Sequence, residues 1–247
     1  MHWMLPKLKG VRVLMYHHVW PGMPDYLTVT PLQLEEQFNY LKENGYQTIF
    51  VSELVDAISN KKELPPKTIA LTFDDGYKNQ VYYVAPLLKK YNFKACIFLI
   101  GDKLTMPNGS LNGSKETYLR IEEIRDADPH YFEFGLHSFS HRPFSSMTLD
   151  ELKTDISMNK QVLSAAHIST IPVFAYPYGN RHSDKKKLYE ARQLMHECGI
   201  KAAFRIGNGS ITFPVKDIFE LKRIDINGFD DLKRFAIKLE KGKLKPF

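Results

Sequence analysis

Two adjacent acids stand out in this 247-residue chain as groups that could do chemistry. The segment 72–77 reads Thr-Phe-Asp-Asp-Gly-Tyr and places Asp74 and Asp75 where an apolar run stops at Gly76. Side chains alternate within a strand, but at a strand end that breaks at glycine both carboxylates can point into one cleft. The competing interpretation is an Asp-Gly turn followed by a helix N-cap, in which both acids are structural.

A pair of histidines, His137 and His141, follows a second apolar run. The i, i+4 spacing predicts two imidazoles on one face of a helical turn, which is a common metal-ligand geometry. Two histidines and one Asp make a three-ligand set with open positions, which suits catalytic zinc and also a mononuclear Fe(II) oxygenase. The second carboxylate favours a hydrolase. A hydrolase needs a base for the attacking water, whereas an oxygenase does not need a spare carboxylate at this place.

Two further groups are weaker signals. Segment 174–179 reads Phe-Ala-Tyr-Pro-Tyr-Gly and is by itself typical of an ordinary turn. Tyr16-His17-His18 ends the first apolar run. We expect His18 to be a bystander, because adjacent strand residues face opposite ways.

Strand-like and helix-like segments alternate along the chain and must position these groups. Strands are predicted at 11–16, 48–51, 68–73, 95–100, 131–136, 173–176, 202–206 and 220–226. Helices are predicted after Thr30, from Ser52, at 77–91, 117–125, from Thr148 to 166, at 184–198 and at 230–239, with a long loop at 101–115. Capping boxes mark the helix starts at Thr30 with Gln33 and at Thr148 with Glu151.

This alternation predicts an α/β fold with parallel strands and right-handed crossovers, and seven or eight strands favour a closed or partly closed barrel. With no linker or internal repeat, residues 1–247 are expected to form one domain. All four polar groups fall at the C-terminal ends of predicted strands, the face of a parallel barrel where active sites are built.

Charge and composition exclude several classes of partner. The net charge is +6, but the lysines are spread out and no basic stripe is interleaved with aromatics, so nucleic-acid binding is not expected. No stretch reaches the roughly 18 apolar residues of a membrane span. The start of the chain shows no apolar leader, which favours the cytoplasm and leaves a cell-envelope role open.

At this point the residues resemble a known family. Segment 72–76 followed by His137-Ser138-x-x-His141 is similar to the pattern of polysaccharide deacetylases (the NodB homology domain, carbohydrate esterase family 4), and the resemblance runs from about residue 11 to 226. It implies a distorted (β/α)7–8 barrel of the NodB type. It also implies removal of N-acetyl groups from a carbohydrate bearing N-acetylhexosamine. The implied metal is divalent, usually Zn²⁺, with Co²⁺ or Ni²⁺ as substitutes.

The resemblance assigns roles residue by residue. It makes Asp75, His137 and His141 the metal ligands and Asp74 the catalytic base. The backbone N–H of Tyr178 takes the position that helps to hold the oxyanion. Pro177 belongs to the same motif and is expected at the substrate-binding surface.

Two departures from the family pattern require substitutes. Ala175 stands where the family often has Arg, and no histidine follows His196 to supply the usual late general acid. The segment 14–17, Leu-Met-Tyr-His, resembles the poly-N-acetylglucosamine deacetylase branch, which implies that His17 is the acid. We expect Tyr16 and Arg223 near the substrate as well, with Arg223 replacing the missing Arg and orienting Asp74.

Three alternatives remain open. One is a deformylase or deacetylase of a lipid- or nucleotide-linked amino sugar, whose motifs would look the same. Another is a catalytically inactive glycan-binding barrel, since fold alone does not establish activity. The missing Arg and late His favour it, and the retained acids and ligands oppose it. The third is an Fe(II) oxygenase, which usually sits on an all-β fold.

Overall fold

The structure, a computed structural model, describes residues 7–105 and 114–244. Seven parallel strands in these ranges close into a ring, in which each strand pairs with the next and the last returns to the first. The described strands are β1 (Arg12–Tyr16), β2 (His18–Val19), β3 (Thr28–Val29), β4 (Gln47–Thr48), β5 (Thr68–Phe73), β6 (Ala95–Leu99), β7 (Phe132–Leu136), β8 (Val173–Ala175), β9 (Ala202–Ile206) and β10 (Leu221–Asp225).

The order around the ring is β1, β5, β6, β7, β8, β9 and β10. Strand β4 pairs with β5 outside the ring, and β2 pairs with β3 as a separate two-stranded piece. The predicted parallel α/β barrel is therefore confirmed, with seven strands in the closed ring.

Helices follow most of the barrel strands. They are α1 (Pro31–Glu43), α2 (Val51–Ser59), α3 (Lys78–Tyr82), α4 (Val84–Tyr91), α5 (Gly101–Thr105), α6 (Ile121–Arg125), α7 (Leu149–Ala165), α8 (Lys185–Glu197) and α9 (Leu232–Lys241). In the described ranges no helix is long and apolar enough to cross a membrane.

Strand alternation divides the apolar residues into two cores. Inward-facing residues such as Val13, Ala70 and Phe98 fill the barrel. The residues between them, such as Leu14 and Leu71, pack in a larger core that also includes residues of the surrounding helices. Because the period is two, this division decides which polar strand residues can reach the barrel mouth.

The helix starts that were predicted from capping boxes are confirmed. The hydroxyls of Thr30 and Thr148 each accept a hydrogen bond from the backbone N–H three residues on, and the side-chain oxygens of Gln33 and Glu151 each accept one from the backbone N–H of the cap residue. The prediction of a single helix at 77–91 is wrong. The chain forms two helices divided at Tyr83, because Pro86 has no backbone N–H to donate to the preceding turn and its ring would clash with that turn.

Other boundaries also differ. The strand predicted at 48–51 ends at Thr48, and the helix predicted at 117–125 begins only at Ile121, because Tyr118 pairs with Tyr77 in an antiparallel bridge. The loop predicted at 101–115 begins with helix α5, and its segment 106–113 lies outside the described residues.

Candidate metal centre and active site

Asp74 and Asp75 both reach the barrel mouth because the chain turns at the end of β5. The backbone N–H of Asp74 still donates to the carbonyl oxygen of Tyr16 on β1 at 2.9 Å, which continues the strand pairing by one residue. Asp75 then takes a left-handed conformation with φ of 79°, which Asp tolerates better than most residues. This reversal lets two adjacent carboxylates share one site, where an extended chain would point them to opposite faces.

Arg223 lies beneath Asp74 inside the barrel. Its Nη1 and Nη2 donate to Oδ1 and Oδ2 of Asp74, each at 2.6 Å, and Nη1 also lies 3.3 Å from the hydroxyl of Thr72. Its guanidinium carbon stands 5.5 Å from the centre of the Phe98 ring. Arg223 is fully buried, so it is not placed to contact a substrate; it contacts Asp74 instead.

The histidine pair is not on a helical turn, and that prediction is wrong. After β7 the chain forms an irregular loop, with left-handed φ of 65° at Ser138 and 56° at His141. The hydroxyl of Ser138 accepts a hydrogen bond from the backbone N–H of His141 at 2.8 Å. The two imidazole centroids nevertheless lie 4.9 Å apart, because the loop folds back on itself.

Two polar residues of α7 hold this loop, and sequence reasoning missed both. The carboxylate of Asp155 accepts the backbone N–H groups of Phe139 at 2.8 Å and Ser140 at 2.9 Å. The amide of Asn159 donates to the carbonyl oxygen of Ser138. A signal was present, because Asp155 and Asn159 occupy core-facing positions of an amphipathic helix, where unpartnered polar groups are costly.

Asp75, His137 and His141 converge as a three-ligand set. Oδ1 of Asp75 lies 3.3 Å from Nε2 of His137 and 3.2 Å from Nε2 of His141. One ligand atom from each residue lies within 4.8 Å of the others. Oδ1 of Asp75 is buried and makes no hydrogen bond of acceptable geometry. A buried, unpartnered carboxylate oxygen facing two imidazole nitrogens fits a divalent cation.

The backbone prepares His137 for this role. Its Nδ1 lies 2.8 Å from the carbonyl oxygen of Ala175 on β8, so the proton is assigned to Nδ1. Nε2 then keeps its lone pair toward Asp75. A hydrogen bond to the outer nitrogen is the usual support for a metal-binding imidazole.

Electrostatics keep both acids ionised. Burial would raise the pKa of Asp74, but Arg223 and His137 more than offset it, and the pKa lies below its ordinary value. Burial likewise opposes the shift at Asp75, yet His137 and His141 hold its pKa well below the usual range. His17 also contributes to lowering the pKa of both carboxyls.

The motif at 174–179 brings Tyr178 to the mouth. Tyr178 has φ of 58°, its side chain is 64% exposed, and its ring lies 4.7 Å from that of His141. Pro177 is buried, so its expected position at the substrate-binding surface is not supported.

The structure corrects the expectation that Tyr16 lies near the substrate. Its side chain is fully buried and its hydroxyl donates to Oε1 of Gln37 on α1 at 2.8 Å. It lies in the outer core with Phe73. Alternation along β1 turns Tyr16 toward the helices, so it cannot contact a substrate at the mouth.

The side chain of His18, which was expected to be a bystander, is buried and contacts two neighbouring residues. Its Nδ1 lies 3.2 Å from the side-chain amide nitrogen of Asn79, and its ring stacks on Tyr77 at 3.7 Å.

Comparison with known proteins adds a family relationship. Residues 61–203 match the family model described as polysaccharide deacetylase. The Bacillus subtilis protein YxkH is 27% identical over 178 residues, which cover 72% of this chain and 60% of that protein. The poly-beta-1,6-N-acetyl-D-glucosamine N-deacetylase of Escherichia coli K12 is 33% identical over 100 residues, 40% of this chain and 15% of that protein. The chain thus spans less than two thirds of either relative.

The fold has close matches among solved structures. The Streptococcus pyogenes deacetylase PplD, solved in complex with acetate, superposes with a TM-score of 0.76. The match is 24% identical in sequence and covers 90% of this chain and 94% of that one. At this identity the likeness shows a shared fold.

Proposed function

Because the chain belongs to the polysaccharide deacetylase family, we propose that it is a metal-dependent hydrolase that removes N-acetyl groups from an amino-sugar glycan and releases acetate. The observation that carries the proposal is the convergence of Asp75, His137 and His141 beside a second, Arg-bound carboxylate. A three-ligand site with a spare base is what amide hydrolysis by an activated water requires.

Asp75, His137 and His141 would hold the ion, and Zn²⁺ suits this nitrogen and oxygen donor set, with Co²⁺ or Ni²⁺ as substitutes. When bound, a divalent ion polarises the acetamide carbonyl and makes an attacking water more acidic.

Asp74 is the proposed base. Its low pKa keeps it ionised at neutral pH, and the two-point contact with Arg223 fixes the direction of its oxygens. Asp74 takes the proton of the attacking water as the carbonyl carbon is attacked.

His17 and Tyr178 complete the proposed reaction. The backbone N–H of Tyr178 donates to the oxyanion that forms from the carbonyl oxygen. His17, half-buried directly after β1, protonates the nitrogen of the leaving amine. The products are acetate and a free amino sugar.

The relatives suggest the substrate class. The Escherichia coli relative is named for poly-beta-1,6-N-acetyl-D-glucosamine, and we propose a β-linked N-acetylglucosamine glycan for this chain as well.

Acetate release tests the proposal. Wild type and Asp74→Asn are assayed side by side with added Zn²⁺ on N-acetylglucosamine, its β-1,6-linked and β-1,4-linked oligomers, and N-formylated analogues. We expect release from the acetylated oligomers by wild type and a loss of at least about a hundredfold in Asp74→Asn, with zinc content unchanged. Faster release of formate would favour a deformylase, and equal rates in both proteins would overturn the role of Asp74.

A further inference from the structure

A groove lined by aromatic rings lies along α3, the helix that begins three residues after Asp75. We call it the tyrosine groove and define it by Trp20, Asn79, Tyr82, Tyr83 and Thr117. A second depression shares Tyr82 and Tyr83 with it and continues along Leu32, Pro86 and Leu87. Neither depression includes a residue of the proposed reaction.

The rings of the groove support one another while leaving a face open. Tyr82 and Tyr83 meet at right angles with centroids 4.8 Å apart, and Tyr83 meets Trp20 edge-on at 6.2 Å. The side chain of Tyr82 is 67% exposed, as is that of Leu32. The helix break before Val84 places the two tyrosines side by side, which a continuous helix would not do.

The groove is continuous with the metal-ligand set through two neighbouring residue pairs. Tyr77 follows Asp75 by two residues, its ring stacks on that of Tyr118 at 4.9 Å, and the two residues pair in an antiparallel bridge. In the next pair, the backbone N–H of Lys78 donates to the carbonyl oxygen of Thr117 at 2.8 Å, and both residues line the groove. From Lys78 to Tyr82 the helix rises about 6 Å.

The lining suits a neutral ligand with apolar faces and polar edges. Among the described residues, each depression has one charged side chain in its lining, and each is paired. In the tyrosine groove Lys78 pairs with Glu123 at 2.7 Å, and in the second depression Glu35 pairs with Lys90 at 2.6 Å. Aromatic rings with a wet polar end alternate with amide and hydroxyl groups. A pyranose ring presents C–H faces to such rings and hydroxyls to such groups, and N-acetylation keeps it uncharged.

We propose that the tyrosine groove binds sugar residues of the glycan that lie beyond the one being deacetylated, so that the enzyme acts on chains in preference to single sugars. This inference rests on the proposed function. Tyr82 is the residue that tests the proposal, because its ring borders both depressions and is the most exposed of their aromatic rings.

The test compares a β-1,6-linked N-acetylglucosamine pentamer with the monosaccharide as substrates of wild type, Tyr82→Ala and Tyr82→Phe. We expect Tyr82→Ala to lower kcat/KM on the pentamer about tenfold through KM, with the monosaccharide unaffected and Tyr82→Phe close to wild type. Tyr189→Ala is the matched control, because Tyr189 on α8 is 61% exposed but lines neither depression.

Equal pentamer kinetics in wild type and Tyr82→Ala would overturn the proposal, as would an equal loss on both substrates. If wild type releases no acetate from either, the proposed function fails, and calorimetry with the pentamer then decides the groove separately. Binding by wild type that Tyr82→Ala weakens supports the groove, and binding that is absent or unchanged overturns it.

Discussion

Both carboxylate oxygens of Asp74 are held by the two terminal nitrogens of Arg223, at 2.6 Å each, inside the barrel. Asp74 is 3% exposed and Arg223 is fully buried. A buried charge pair of this kind adds little to stability, because desolvation offsets the attraction, but it fixes the direction of the carboxylate.

Arg223→Lys tests this positioning role. Lysine keeps the positive charge but cannot make the planar two-point contact, so Asp74 stays ionised and loses its fixed orientation. We expect kcat to fall about tenfold to a hundredfold, with KM and zinc content little changed. Lys222→Arg, at the exposed neighbouring position, is the control, and unchanged kcat in Arg223→Lys would contradict the role.

Asp155→Ala tests the clamp on the histidine loop. The substitution removes the acceptor for the backbone N–H groups of Phe139 and Ser140 and frees the loop that carries His137 and His141. We expect zinc affinity to fall about tenfold to a hundredfold, as for other outer supports of metal ligands. Competition with a fluorescent chelator measures it. Asp150→Ala, exposed on the same helix, should match wild type; loss of affinity there would point to the helix instead.

Metal removal should affect activity and stability together. Treatment with a chelator is expected to abolish acetate release, and added Zn²⁺ should restore it. Zinc bound by the folded chain should also raise the melting temperature, by an amount that grows with free zinc. His141→Ala should lose this zinc-dependent shift, and if it keeps the shift, another set of ligands binds the ion.

Tyr16→Phe separates a core residue from a substrate contact. Loss of the hydroxyl leaves Oε1 of Gln37 without its buried donor, and we expect unfolding free energy to drop by about 1–3 kcal/mol. Neither kcat nor KM should change at temperatures where the variant is folded. Chemical denaturation and steady-state kinetics provide the two measurements, and a raised KM would restore Tyr16 as a substrate contact.

His18 should make stability depend on pH. Burial and the nearby Lys115 lower the pKa of His18 to about 4, and its Nδ1 lies against the amide of Asn79 as an acceptor. The pKa of His18 in the folded chain lies below its value of about 6.5 in the unfolded chain. Neutral His18 therefore contributes stability that is fully present above about pH 6.5. It is lost as the pH falls toward 4.

Urea denaturation of wild type and His18→Gln at pH 7 and pH 5 measures the effect. The loss of unfolding free energy between the two pH values should be on the order of 1 kcal/mol larger in wild type. Equal losses would show that His18 titrates normally in the folded state.

The sequence by itself determined the barrel and the identity of the chemical groups. Alternation of apolar runs with helical periodicity, and capping boxes at Thr30 and Thr148, are local signals that depend only on neighbouring residues. The Asp-Asp-Gly and His-x-x-x-His segments could be recognised for the same reason. Parallel strands bring their C-terminal ends together, so these groups were expected to share one face.

Only the tertiary structure decided how each side chain is used. Left-handed conformations at Asp75 and His141 aim ligands that strand or helix periodicity would have pointed elsewhere. That Arg223 orients Asp74 was expected only as a substitute for the missing Arg. The two-point contact itself joins residues 149 positions apart, and no local pattern encodes such a contact. Tyr16 is excluded from the mouth because strand alternation and packing against α1 fix which way it points, a choice made by the closed barrel as a whole.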